Sequence, residues 1–291
     1  MATTKPTILL QLDTDPQPSV FDGVVAVDAG VAHLFRHGGV TPAQVRDLVY
    51  GCLFTRGLDD LKSTAIFVGG SDVAAGEALL ESVKATFFGD FRVSVLLDAN
   101  GANTTAAAAV LAALEGSGGS LQGARAAVLA ATGPVGQRVA RLLGRLGAEV
   151  AVGSRRLDRA QATAQVLEAA TSTRFTPFST QEPDDLAKGL DGASVVVAAG
   201  AAGVTLLPLS VRKALPALKV VIDLNAVPPL GVEGIKSHDK GADRDGVSAW
   251  GALGVGGTKM KIHRKAVQEL FTARDKILDA EEILALGQSL A

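Results

Sequence analysis

The sequence predicts an α/β protein of two domains, each built on a parallel sheet with helices on its faces. Strand-like apolar runs alternate with helical segments along the whole chain. A run of small residues at 116–120 is typical of a joint between domains. A strand, a glycine turn and a helix follow at 126–147, which is the opening unit of a Rossmann-type dinucleotide-binding domain. We therefore expect a first α/β domain at 1–118, completed by C-terminal helices at 259–291, a Rossmann-type domain at 119–258, and an active-site cleft between them.

Polar residues stand where the strands of the first half end. An apolar strand at 7–12 runs into Asp13-Thr14-Asp15, and a second at 92–97 runs into the polar stretch 98–105. A third strand is predicted at 63–68, and helices are predicted to start at Ser19, Thr41, Asp72 and within the alanine-rich stretch before Leu114. Open parallel sheets present ligand groups at such strand ends, so the first domain is expected to have a site of its own.

Several of these polar residues have two interpretations. Asp13, Asp15 and Asp22 could be paired acids, and their spacing is equally consistent with carboxylates that hold turns and helix ends. Thr104 and Thr105 belong to a good helix start whether or not a ligand is present. Lys259 follows a glycine-rich stretch, predicted to be a flexible loop at 252–257, so a surface role and a cleft role are equally open.

The glycine turn of the second half is an imperfect dinucleotide fingerprint. Residues 131–136 read A-x-G-x-x-G, with Ala131 in place of the first glycine. Gly133 would let the backbone approach a pyrophosphate, Gly136 would let the helix pack closely on the strand, and Pro134 suits the first helical position. The helix N-terminus would then face the pyrophosphate with its positive dipole end. From this pattern alone, a tight turn without a ligand is an equal alternative.

The end of the next strand favours a phosphorylated nucleotide. The strand at 149–153 runs into Ser154-Arg155-Arg156, about 20 residues after the glycine turn, where an NAD site usually has Asp or Glu. A hydroxyl and two guanidinium groups suit the 2′-phosphate of NADP, although NAD remains possible. With the ends of two later strands, the cofactor-binding candidates are Thr132, Gly133, Pro134, Val135, Gly136, Ser154, Arg155, Arg156, Ala199, Gly200 and Asn225.

The rest of the second half continues the alternation. Strands are predicted at 174–178, 194–199 and 219–224, and helices at 158–167, 184–190, 265–271 and 280–286.

Composition excludes several classes of function. Lys and Arg number 28 against 30 Asp and Glu, so no basic field exists to hold nucleic acid or an anionic membrane surface. The four histidines and single cysteine show no ligand spacing, which argues against a metal site and a disulfide. No apolar run approaches the roughly 20 residues of a spanning helix. One thiol and no signal peptide lead us to expect a cytoplasmic protein.

Eight short motifs occur in one order along nearly the whole chain: Gln11–Asp15, Pro18–Asp22, Thr55–Gly57, Ser63–Gly70, Asn100–Ala106, Thr132–Gly136, Asn225-Ala226 with Pro228–Gly231, and Gly251–Gly254 with Gly256-Gly257. On these motifs the chain resembles the NADP-dependent methylene-tetrahydromethanopterin dehydrogenases of bacteria that oxidise one-carbon compounds. Two positions depart from the family pattern: Ala131 replaces a glycine, and Ser154-Arg155-Arg156 stands where the family reads Gly-Arg-Lys. Both positions bear on the ratio of NADP to NAD use.

The resemblance implies hydride transfer from the methylene bridge of a reduced pterin to NADP⁺, giving the methenyl form. It also implies a homotrimer, with methylene-tetrahydrofolate as a further possible substrate. Lys259 and Thr105 would be the catalytic residues beside the pterin. Substrate-binding candidates from the matching motifs are Asp13, Thr14, Asp15, Ser19, Phe21, Asp22 and Asn103.

The chemistry of such a reaction fits what the sequence lacks. A carbon between two nitrogens can lose hydride directly because the nitrogen lone pairs stabilise the cation that results, so no His or Cys acid–base pair is required. Two alternatives stay open. One is another two-domain NADP dehydrogenase of shikimate-dehydrogenase type, with Lys259 or an aspartate as acid or base. The other is a nucleotide-sensing protein without catalysis, against which the polar strand ends of the first domain argue.

Overall fold

A computed structural model describes residues 5–290 and divides them into two compact units. The first unit takes in the described residues up to Thr104 and from Met260 onward, and the second is Thr105–Lys259. The first division falls within the helix Ala102–Gly116, between Thr104 and Thr105, whereas the sequence predicts a joint after that helix. The helix end packs on the second unit, since a Cβ on Gly116 would lie 2.7 Å from Val220 Cγ2.

The strands, in chain order along the described residues, are β1 (Ile8–Asp13), β2 (His33–His37), β3 (Thr64–Gly69), β4 (Ser94–Leu97), β5 (Arg125–Leu129), β6 (Glu149–Ser154), β7 (Phe175–Ser179), β8 (Val195–Ala198), β9 (Val220–Asp223), β10 (Lys240–Arg244), β11 (Val247–Trp250) and β12 (Ile277–Leu278). The α-helices are α1 (Val20–Asp28), α2 (Pro42–Leu53), α3 (Val73–Thr86), α4 (Ala102–Gly116), α5 (Pro134–Arg145), α6 (Leu157–Thr171), α7 (Pro183–Gly189), α8 (Leu209–Lys213), α9 (Ala252–Glu269) and α10 (Ala280–Gln288).

The first unit contains a five-stranded parallel sheet in the order β12-β4-β3-β1-β2. Helix α1 begins where the sequence predicts, because the Ser19 side chain accepts a hydrogen bond from Asp22 N. Asp72 caps α3 in the same way through Ala75 N. Strand β2 was not expected from the sequence. It lies at the sheet edge with most of its side chains exposed, so it lacks the continuous apolar run that identifies the central strands.

The second unit contains a seven-stranded sheet in the order β10-β11-β9-β8-β5-β6-β7, parallel except for the β10–β11 pair. From β7 to β11 this is the doubly wound Rossmann order, which reverses between β5 and β8. All residues of β8 and β9 are buried, as a parallel sheet covered on both faces requires. The prediction of two α/β units with parallel sheets is confirmed. The β10–β11 hairpin escaped prediction because β10 is short, polar and at the edge.

The predicted glycine-rich loop at 252–257 is wrong, because these residues form the start of α9. Gly251, just before α9, and Gly254, in its first turn, lie close to the segment 236–239. A Cβ on Gly251 would lie 2.2 Å from Lys236 O, and one on Gly254 would lie 2.0 Å from Asp239 O. Glycine here therefore permits close packing of a helix instead of supplying a flexible hinge. Within residues 5–290, no helix is long and apolar enough to cross a bilayer.

Candidate functional site

The turn between β5 and α5 is shaped for close approach of its backbone. A Cβ on Gly136 would lie 2.7 Å from Ala130 O and 2.8 Å from Ala131 Cα, both of them backbone atoms. Gly133 is the N-cap of α5, and its N–H donates to Ala130 O at 3.2 Å. Gln137 Nε2 donates to Thr132 O at 2.8 Å, which fixes the turn from the helix side. The first-turn N–H groups of α5 have no acceptor within the helix, so they are open to a phosphate, as a dinucleotide fold requires.

The strained residue of this turn is Ala130. Its φ of +56° lies in the left-handed region, where an L-residue other than glycine costs roughly 1–2 kcal/mol. The sequence pattern placed the missing glycine one residue later, at Ala131, whose side chain is buried. Strain of this kind persists only where the surrounding structure fixes the backbone, and it is common beside ligand sites.

A cleft of about 420 Å³ opens beside this turn, over the carboxyl ends of β5, β6, β7 and β8. Its location is where open α/β sheets bind ligands. The residues that line it are Ala130, Thr132, Ser154, Arg155, Arg156, Arg159, Thr180, Gln181, Gly200, Ala201, Val204 and Leu206. Three arginines and no carboxylate stand among these residues, so the cleft suits an anion.

One of the three arginines is held by a neighbouring carboxylate. Arg156 Nε donates to Asp158 Oδ1 at 3.0 Å, and a second guanidinium N–H donates to Asp158 Oδ2. The hydrogen bond from Arg156 holds the pKa of Asp158 below its usual range. In the described part of the chain, Arg155 and Arg159 form no such ion pair. Two guanidinium groups thus remain available to a ligand.

The structure brings together five of the predicted cofactor residues as cleft lining: Thr132, Ser154, Arg155, Arg156 and Gly200. Gly133, Pro134, Val135 and Gly136 form the adjoining turn and helix start, and Ala199 directly precedes Gly200. Asn225 does not line the cleft.

The Asn225 side chain holds the loop that follows β9. Its Nδ2 donates to Pro229 O at 3.1 Å, and its Oδ1 accepts from Val227 N at 2.9 Å.

Sequence reasoning missed Arg159, Thr180 and Gln181 in the cleft. Arg159 lies in the first turn of α6, four residues after Arg155, and the predicted start of this helix gave enough information to find it. Thr180 and Gln181 follow β7, whose last residue pairs with Ser154. Finding them required the order of strands in the sheet, which a local pattern does not contain.

In the first unit, the predicted acids Asp13 and Asp15 hold turns. Asp13 is fully buried, and its carboxylate accepts hydrogen bonds from Asp15 N and Ser19 N, both at 3.0 Å. Gln11 Nε2 also donates to it at 3.2 Å. Asp15 accepts from Ser71 N at 3.0 Å and Ser71 Oγ at 2.8 Å. The turn interpretation of these two carboxylates is therefore the one that the geometry supports.

The start of α4 is organised around the buried carboxylate of Asp98. It accepts from Asn103 N and Thr104 N, both at 3.0 Å, and from Thr104 Oγ1 at 2.6 Å. Asn103 Nδ2 donates to Leu97 O at 2.6 Å and to Asp279 Oδ1 at 2.9 Å. Asn103, a predicted substrate residue, is only 1% exposed, and its amide is used within the fold.

A buried histidine lies between two carboxylates of the first unit. His263 has no exposed surface and stacks on Phe67 with 5.8 Å between ring centroids. Its Nε2 is 3.9 Å from Asp22 Oδ1, and its Nδ1 is 4.0 Å from Asp98 Oδ2. No sequence motif singles out His263, which is one of four histidines without metal-ligand spacing. Among the described residues, no group of three or more His, Cys, Asp and Glu could hold a metal ion.

The remaining predicted substrate residues have different degrees of exposure. Phe21 is half exposed and Asp22 partly buried, both in the first turn of α1. Thr14 Oγ1 is buried, and a Cβ on Gly70 would lie 1.9 Å from it. Thr105 and Lys259 are partly buried and are the first and last residues of the second unit.

Comparison with known proteins gives one consistent family. Residues 20–100 match the family model described as "Methylene-tetrahydromethanopterin dehydrogenase, N-terminal". The chain is 47% identical to the "Bifunctional protein MdtA" of Methylorubrum extorquens, over 98% of this chain and 99% of that protein. It is 29% identical to the NAD(P)-dependent methylenetetrahydromethanopterin dehydrogenase of the same organism, over 94% and 95%. Quinate dehydrogenase from Corynebacterium glutamicum, solved with NAD, shares the fold at a TM-score of 0.52 and 15% identity, over 98% of this chain and 99% of its own.

Proposed function

This chain belongs to the methylene-tetrahydromethanopterin dehydrogenase family, and we propose that it transfers a hydride from the methylene bridge of methylene-tetrahydromethanopterin to NADP⁺, giving the methenyl form. The observation that carries the nucleotide half of this proposal is the cleft at the end of β6. Arg155, Arg156 and Arg159 line it without any carboxylate, where an NAD-selective site would usually have Asp or Glu.

The residues present fit a dinucleotide. The close approach at Gly136 and the first-turn N–H groups of α5 support a pyrophosphate site at this turn. Ser154 supplies a hydroxyl to a 2′-phosphate, and arginines of the same cleft supply guanidinium groups. Apolar side chains at Val204 and Leu206 line the same cleft and suit one face of an adenine ring.

The reaction places modest demands on the protein. When bound, NADP⁺ accepts the hydride at its nicotinamide ring. The two pterin nitrogens stabilise the cation left on the bridging carbon, so no side chain has to move a proton in that step. The protein's contribution is to fix the distance and orientation of the two carbons and to exclude water. We assign this orienting role toward the pterin to Lys259 and Thr105.

Turnover with purified protein tests the proposal directly. Methylene-tetrahydromethanopterin and NADP⁺ should give reduced nucleotide, followed by its absorbance, at a higher kcat/KM than NAD⁺. No turnover with either nucleotide would contradict the proposal. Methylene-tetrahydrofolate belongs in the same assay, because the family resemblance leaves it open as a further substrate. Quinate is the control substrate for the shikimate-type alternative, which is supported by likeness of fold alone.

The homotrimer implied by the family also stays a proposal, and light scattering of the purified chain would test it.

Lys259→Ala separates an orienting lysine from an acid–base lysine. We expect a loss of about 1.5–3 kcal/mol in kcat/KM for the pterin, the range for a hydrogen bond from a charged group. The Kd for NADP⁺ should stay within about twofold, because the nucleotide cleft does not include Lys259. The pH dependence of kcat/KM should keep its shape. A mutant that loses one limb of that pH profile would show that Lys259 donates or accepts a proton.

A further inference from the structure

We infer that Arg159, together with Arg155, binds the 2′-phosphate of the nucleotide, and that Arg156 is kept from this role by Asp158. This inference rests on the proposed function and concerns which side chains select NADP over NAD. The sequence pattern favours Arg155 and Arg156, because they follow β6 directly. The contacts in the cleft favour a different pair.

Arg156 is already committed to a partner. Two parallel hydrogen bonds join its guanidinium to the carboxylate of Asp158, the geometry in which an Arg–carboxylate pair is strongest. A phosphate would have to compete with this carboxylate for the same N–H groups. The negative charge of Asp158 would also oppose a dianion bound at Arg156.

Arg159 lines the same cleft without an ion-pair partner in the described part of the chain. It is the third residue of α6, in the first turn, where the helix dipole is positive. A cation at this end of a helix is unfavourable, and Arg155 adds a second positive charge nearby. Folding alone gives no reason for an arginine here. A bound phosphate would offset the repulsion of Arg159 by the helix dipole and by Arg155.

The spacing of Arg155 and Arg159 also supports a shared ligand. They are four residues apart across the start of α6, and both line the cleft with Ser154, Thr180 and Gln181. A helix N-terminus, two guanidinium groups and hydroxyl donors together make a site for a phosphate monoester.

Binding of two small nucleotides to the full chain tests the inference without any turnover. The ligands are 2′,5′-ADP, which carries the 2′-phosphate, and 5′-AMP, which lacks it, measured by isothermal titration. We expect Arg159→Gln to raise the Kd for 2′,5′-ADP about tenfold or more and to leave the Kd for 5′-AMP within about twofold. Arg156→Gln should affect 2′,5′-ADP less than Arg159→Gln does. Arg174→Gln, an exposed arginine outside the cleft, is the matched control and should change neither constant.

Thermal unfolding of the same variants gives a second readout. Without ligand, Arg159→Gln should unfold at the same temperature as the wild type or slightly higher, because an unfavourable charge at a helix start is removed. An arginine with a structural role would lower the unfolding temperature.

Three results with the variants would overturn the inference. The first is that Arg159→Gln binds 2′,5′-ADP with a Kd within about twofold of wild type. The second is that Arg159→Gln raises the Kd for 2′,5′-ADP and for 5′-AMP equally. The third is that Arg156→Gln raises the Kd for 2′,5′-ADP more than Arg159→Gln does. The proposed function fails separately: a wild-type chain that turns over no methylene-pterin contradicts it, whatever the arginine variants show. A wild-type chain that binds both nucleotides equally would overturn the inference and the NADP preference together.

Discussion

The polar strand ends of the two units serve different purposes. In the first unit, the carboxylates of Asp13 and Asp98 are fully buried and accept hydrogen bonds from backbone and side-chain donors of their own turns. In the second unit, Arg155 and Arg159 lie exposed in a cleft without an ion-pair partner in the described chain. Polar groups that are satisfied internally stabilise a fold, and polar groups left open toward a cleft are available to a ligand. The same strand-end position therefore does not predict the same role.

Asp98→Ala is expected to have the largest effect on stability among the substitutions that separate a structural carboxylate from a ligand-binding side chain. It leaves Thr104 Oγ1 and the N–H groups of Asn103 and Thr104 without their acceptor, and it removes a carboxylate 4.0 Å from His263. We expect the free energy of unfolding in urea to fall by about 3–5 kcal/mol. The exposed Asp59→Ala is the matched control in the same unit and should cost less than about 1 kcal/mol. A loss below about 1 kcal/mol in Asp98→Ala would remove the distinction drawn between the units.

Two substitutions in the glycine turn between β5 and α5 separate an effect on stability from an effect on NADP⁺ binding. Gly136→Ala places a Cβ against backbone atoms and should destabilise the chain by about 1–3 kcal/mol while also weakening NADP⁺ binding. Gly133→Ala meets nothing closer than 3.7 Å, so its stability should hardly change. Its Cβ would still hinder approach of a pyrophosphate, and the Kd for NADP⁺ should rise. If Gly133→Ala bound NADP⁺ as well as the wild type, the pyrophosphate would not lie against this turn.

A smaller effect on stability is expected from replacing Asp239, a hydrogen-bonded carboxylate of the second unit that lies outside the cleft. The hydrogen bond from the Arg244 guanidinium holds the pKa of Asp239 below its usual range. Because the folded-state pKa is lowered, this pair stabilises the fold above the unfolded pKa of about 3.9 and loses that effect as pH falls through the lowered value. Asp239→Asn should therefore lower Tm by about 2–4 °C at pH 7 and by less near pH 3. An equal change in Tm at both pH values would contradict the assignment.

These comparisons also show how much the sequence could predict. The buried parallel strands, the caps at Ser19 and Asp72, and the turn around Gly133 follow from local patterns, and the structure confirms them. The edge strands β2 and β10 do not, because exposed strands lack the apolar signal.

Individual roles depended on side-chain contacts that apolar periodicity and glycine spacing do not predict. Neither pattern indicates that Asn225 holds its own loop or that Asp158 binds Arg156, although these partners lie within four residues of each other. The glycines at 251–257 show the same limit. Their composition suggests a loop, whereas their packing against residues 236–239 produces a helix start.

Hydrogen exchange of the full chain with and without NADP⁺ tests the central claim most directly, namely that the nucleotide binds in the cleft of the second unit. Added NADP⁺ should slow exchange in the segments 130–137, 154–160 and 180–182, which carry the glycine turn and the cleft residues. Without pterin, the turn at 13–19 should exchange as it does in the free protein, because its hydrogen bonds are already made. Unchanged exchange in the three cleft segments at saturating NADP⁺ would contradict the account.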